Sequence, residues 1–107
     1  MELTRAERMG EVMIIVAGHI VVEQGGRDAY LAGCIGAVEQ ARRAPGCLEF
    51  SVTADLIDPS RVVVFERWDS PATLADFRGS GPDDEQAASI LSASVTEYTV
   101  TEGNSLT

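Results

Sequence analysis

The chain has 107 residues, room for one ordinary domain and not for two. Hydrophobic residues make up 45% and charged residues 23%, the balance of a folded globular chain, and 8 basic against 17 acidic residues leave a formal charge of −9. That sign argues against nucleic acid and anionic membranes as partners, because binding either one needs a basic footprint.

Residues 1–10 carry no apolar period and read as a flexible arm. The run Val12–Val22 is apolar at almost every position. Its length would suit a signal-peptide core, yet it is far shorter than the roughly 20 residues of a membrane helix. It is also rich in Val and Ile, contains His19, and lacks a convincing A-x-A site. It is therefore read as a strand buried on both faces. Gln24-Gly25-Gly26 breaks the run. From Arg27 to Ala44, the positions Leu31, Cys34, Ile35, Val38 and Ala41 follow the spacing of an amphipathic helix, and Pro45-Gly46 stops it.

Cys47–Ala54 and Arg61–Trp68 read as second and third strands, joined by a segment that ends in Asp58-Pro59-Ser60. The third strand is again apolar in both phases. Ser70-Pro71 is an N-cap followed by Pro at the first helical position, opening a short helix through Phe77. Gly79-Ser80-Gly81 ends it, and Pro82-Asp83-Asp84-Glu85 looks like another helix start, with Ala87, Ile90 and Leu91 as apolar positions. Val95–Thr101 reads as the fourth strand.

The resulting order, β-α-β-β-α(α)-β, is the split βαβ of ferredoxin-like folds: an α+β domain whose four-stranded antiparallel sheet carries its helices on one face. The first and third strands nevertheless offer large apolar side chains to both faces. The uncovered face would expose more apolar area than a soluble monomer tolerates, so the expectation is a homodimer packed sheet on sheet. Cys34 and Cys47 are too few for a disulfide framework and lie in apolar stretches. They read as buried free thiols, consistent with a reducing, cytoplasmic setting. A single His and two distant Cys supply no metal site.

Several segments resemble the antibiotic biosynthesis monooxygenase family: Val16-Ala17-Gly18-His19-Ile20 with Gly25-Gly26-Arg27-Asp28, Arg43-Ala44-Pro45-Gly46-Cys47, and above all Val64-Phe65-Glu66-Arg67-Trp68-Asp69-Ser70 followed by Leu74 and Phe77. The resemblance spans about residues 12–100 and implies a dimeric α+β barrel with a small-molecule site between sheet and helices. It also implies either a cofactor-independent oxygenase of aromatic polyketide-like phenols and quinols or a non-catalytic binding module of the same fold. Haem-degrading relatives carry an Asn where this chain has Gly18 and an axial His in the region after Phe77. Neither is present here. Many members place a His where this chain has Phe77.

By that resemblance Trp68, the only Trp, lines the pocket as an aromatic wall, although it also reads as an ordinary core residue. His19 is the natural general base near neutral pH. It lies in the opposite strand phase from Gly18, so it meets the dimer interface if Gly18 faces the helices. Glu66 shares the phase of Trp68. It either orients a substrate hydroxyl or pairs with Arg27, Arg42 or Arg43. Trp68, His19 and Glu66 are thus the catalytic candidates, and Trp68, Phe77, Leu74, Tyr30 and Gly18 the substrate-binding ones. Tyr98, like Tyr30, reads either as a hydrogen-bond partner for a phenolic ligand or as a core-edge Tyr with its hydroxyl in water, and no cofactor is expected.

Overall fold

The computed structural model describes residues 12–79 and 89–107. The expected arm over residues 1–10 and the helix start at Pro82–Glu85 lie outside them. Strand β1 (Met13–Val22) leads to helix α1 (Arg27–Arg43), then to the hairpin β2 (Cys47–Ala54) and β3 (Arg61–Trp68). Helix α2 (Pro71–Arg78) and strand β4 (Ile90–Val100) follow. The sheet order is β2-β3-β1-β4, antiparallel at every junction. This is the ferredoxin-like order, with each helical crossover skipping one strand.

Alternation along the strands separates two faces. Ile14, Val16 and Val22 of β1 and Val62, Val64, Glu66 and Trp68 of β3 are buried toward the helices. Ile15, Ala17 and His19 pair with Arg67, Phe65 and Val63 on the open face. On that face β4 contributes Ser94, Thr96 and Tyr98, opposite His19, Ala17 and Ile15. The open face is therefore apolar along β1 and β3 and polar along β4, a narrower apolar strip than the strand sequences of β1 and β3 suggest by themselves.

Two core clusters sit under the helices. At one end Ile14, Val16, Ala41, Phe50, Trp68 and Leu74 pack together; at the other, Val22, Tyr30 and Val62 do. Each large side chain withdrawn from water contributes about 1.5–3 kcal/mol. Helix α1 is rotated relative to the expected stripe: Tyr30 and Ala41 are buried, while Ile35 is 57% exposed. The helix lies over β2 and turns Tyr30, not Ile35, into the cluster with Val22. Neither thiol forms a disulfide, and both are half-buried.

Turns are fixed by specific polar contacts. Arg27 Nη1 donates to the carbonyls of Asp55, Asp58 and Arg61 at 3.2, 2.8 and 3.3 Å, tying the first turn of α1 to the β2–β3 connection. The Asp55 carboxylate accepts from the backbone N–H of Ile57 and Asp58 at 3.0 and 2.8 Å. Ser70 caps α2 by accepting from Thr73 N at 3.2 Å, with Pro71 at the first helical position. Gly46, at φ +83°, lets the α1–β2 turn press on that cap. A Cβ there would lie 2.5 Å from both Asp69 Oδ1 and Thr73 Cγ2.

Strand β4 begins five residues earlier than Val95. Ile90, expected on a helix, instead pairs with Val22 through a bulge at the end of β1, and Leu91 lies exposed in the same strand. The Ser/Ala-rich stretch Leu91–Ser94 has little β propensity of its own; pairing along the full length of β1 overrides it.

Candidate functional site

The helix-facing side of β3 carries one carboxylate, Glu66, two residues before Trp68. Both are buried, at 8% and 0% exposure. Trp68 Nε1 donates a 2.9 Å hydrogen bond to Glu66 Oε1, so the indole holds the carboxylate in place along its own strand. Burial pushes the Glu66 carboxyl above its ordinary range. The indole bond and the Arg78 guanidinium pull the other way without cancelling the effect. None of Arg27, Arg42 and Arg43 is Glu66's hydrogen-bonding partner. Arg27 is engaged on the β2–β3 connection, and Arg42 Nε donates to Phe50 O at 2.9 Å.

Helix α2 roofs this region because its apolar positions Leu74 and Phe77 fall on one side. Leu74 is buried in the Trp68 cluster. The Phe77 ring lies 5.2 Å from the Trp68 ring, tilted by 31°, and 5.7 Å edge-on from Phe50. Trp68 consequently presents no accessible surface; it backs Phe77 and holds Glu66. The Cys47 thiol belongs to the same cluster and is pushed up by burial and by the nearby Glu66 charge.

Two residues that the sequence pattern did not single out complete the region. Arg78, the last residue of α2, places Nη1 3.4 Å from Glu97 Oε1 on β4. Val16 is opposite Glu66 on one side and Glu97 on the other. The two carboxylates therefore share a face, about 9–10 Å apart at their backbones. Arg78 acts electrostatically on the inner one and touches the outer one. Only the strand register reveals this, since thirty-one positions separate Glu66 from Glu97. Pro71, Leu74, Ala75, Arg78, Gly79 and Glu97 line a cleft of about 490 Å³. That is within the range of small-molecule sites. A second cleft, about 350 Å³, opens on the other side of α2, where Arg43, Asp76 and Phe77 meet the end of α1.

The remaining sequence candidates lie elsewhere. Tyr30 joins the Val22–Val62 cluster at the far end of β1, about 26 Å along the strand from the level of Trp68. Burial and the neighbouring Cys34 push its hydroxyl up to about 12. His19 and Tyr98 are on the open face. Gly18 is in the helix-facing phase, and β4 approaches it so closely that any Cβ would collide with the Ser94 carbonyl. The bare position thus serves strand pairing, and an Asn side chain cannot be seated there without moving β4. Among the described residues no three His, Cys, Asp or Glu side chains gather as a metal site, and no helix is long and apolar enough to cross a membrane.

A four-stranded antiparallel sheet with helices on one face, a buried carboxylate on β3 and a cleft beside the second helix define a small ferredoxin-like α+β protein. The chain belongs to the antibiotic biosynthesis monooxygenase family, whose profile matches residues 13–88. The fold is similar to that of a protein from Chloroflexus aurantiacus provisionally described as an antibiotic biosynthesis monooxygenase, at 27% identity and a TM-score of 0.67, covering 89% of this chain and 99% of that one. It is also similar to likewise described proteins from Nitrosomonas europaea (18% identity, TM-score 0.73, covering 83% and 90%) and Deinococcus radiodurans (18%, 0.73, covering 88% and 98%). No curated protein sequence matches the chain. Family membership supports a monooxygenase-type function in general terms.

Proposed function

We propose that the protein is a cofactor-independent monooxygenase that oxidises an aromatic polyketide-like phenol, quinol or anthrone in the cleft between α2 and the sheet. The observation that carries this reading is the buried Glu66, fixed by the Trp68 indole and with its proton affinity raised by burial. A carboxylate so placed is a general base suited to take the proton of an aromatic hydroxyl or its keto tautomer. The deprotonated, electron-rich substrate then reduces dioxygen. In a phenol or anthrone one oxygen atom becomes the new ring carbonyl, in a quinol it becomes the new hydroxyl of a hydroxyquinone, and in each case the other leaves as water, with all four electrons supplied by the substrate. Pro71, Leu74 and Ala75 give the cleft its apolar wall, Trp68 holds Glu66 from behind, and Arg78 stands where negative charge develops.

In this reading the working unit is a homodimer with the open sheet faces opposed. Support comes from the apolar strip of Ile15, Ala17, Val63 and Phe65, and from the generally dimeric habit of the family. His19 would then lie at the interface and not in the cleft.

The test is oxygen uptake with an anthrone and a naphthoquinol. Wild type should consume dioxygen in proportion to quinone formed, and Glu66→Gln should lose about 10²–10⁴ of the rate while still binding substrate. A second reading, a binding module without turnover, is favoured by Phe77 in place of a helix histidine and by the inaccessibility of Trp68. Tight binding of the panel with no oxygen uptake would establish it.

A further inference from the structure

Arg78 stands between two carboxylates at the rim of the 490 Å³ cleft, and neither claims it fully. Its contact with Glu97 is a single long one of 3.4 Å, and both side chains are half exposed. Such a pair is weak because water and salt screen it and two flexible chains must be held. A guanidinium offers five donors in a planar fork, most of which this contact leaves available to an incoming group. Beside it the cleft wall is apolar, formed by Pro71, Leu74 and Ala75. A cation at the rim of an apolar wall recognises a flat hydrophobic body carrying one negative oxygen.

We infer that Arg78 is the anion-recognition residue of this cleft, and that its ligands are planar aromatics bearing an ionised oxygen, phenolate or carboxylate, which take Glu97's place on the guanidinium. Glu97 acts as a built-in competitor. A small inorganic anion has no apolar body to offset the displacement of Glu97, so it is excluded, whereas an aromatic anion gains from both the wall and the fork. The arrangement also orients the ligand: its charged oxygen lies at Arg78, on the side nearest Glu66. This inference rests on the reading of the cleft as the substrate site and adds the charge it selects.

The experiment measures binding at neutral pH by equilibrium dialysis, with 2-naphthoate, the ionised phenol 2,4-dinitro-1-naphthol, and neutral 2-naphthamide as probes. Wild type should bind both anions about tenfold more tightly than the amide. Arg78→Gln should erase that ratio, and Arg78→Lys should keep part of it. Glu97→Gln should tighten the anions about threefold and leave the amide unchanged. Preference for only one of the two anions would still support Arg78 as the receptor and would narrow the oxygen class. If Arg78→Gln preserves the anion-to-amide ratio while anthrone turnover continues, this inference fails and the oxygenase reading stands. If no probe and no anthrone binds any variant, the cleft itself is refuted and both fall.

Discussion

The two faces of the β1–β3 pair both carry apolar side chains, yet they differ in what those side chains hold. Toward the helices, Ile14, Val16, Val62 and Val64 share their face with one carboxylate, and that carboxylate is held by an indole. Toward the open side, Ile15, Ala17, Val63 and Phe65 form a plain strip bordered by Arg67 and by the Ser and Thr of β4. The placement of a single buried charge distinguishes them, because a charge is removed from water only where something compensates it. The helix-covered face therefore carries the proposed chemistry, and the open face the proposed assembly.

The sharpest way to break this contrast is to truncate one aromatic on each face. Trp68→Ala removes a fully buried ring and its donor to Glu66, and should cost about 3–5 kcal/mol in chemical unfolding. Phe65→Ser on the open face should leave the secondary structure intact and shift the protein toward protomers in sedimentation at micromolar concentration. Its stability should lose dependence on protein concentration in step. If the Phe65 variant sediments as wild type and its stability changes by less than about 0.5 kcal/mol, the open face is merely surface.

The smallest and most specific effect concerns pH. Because the Glu66 carboxyl is raised in the folded state, the folded protein binds its proton more readily than the unfolded chain does. Stability from this group is therefore fully present below the ordinary carboxylate range and is lost as pH rises through the raised folded value. Glu66→Gln should flatten that part of the stability–pH curve and leave the variant relatively more stable at neutral pH. An unchanged slope would mean that Glu66 is no more protonated when folded than when unfolded.

Much of the fold was legible because local signals agreed with one another. The β2 and β3 boundaries coincide with their turn residues, and Ser70-Pro71 opens α2 as capping chemistry requires. The phase of Glu66 relative to Trp68 followed from their two-residue spacing. What stayed hidden depended on register between distant segments. Ile90 belongs to a strand only because β1 extends far enough to pair it, and Arg78 meets Glu97 only because β4 lies beside β1 in that alignment. The rotation of α1 that buries Tyr30 and exposes Ile35 was likewise set by where the sheet lies beneath the helix, which a helical period cannot specify.

Arg27 has a consequence for how the molecule comes apart. One guanidinium nitrogen gathers three carbonyls from the Asp55–Arg61 bend, twenty-eight to thirty-four positions further along the chain. It works as a rivet between the helix start and the hairpin tip. In native-state hydrogen exchange, the amides of that bend and of the first turn of α1 should open together as one cooperative unit, separate from the α2 end where ligands are expected to enter.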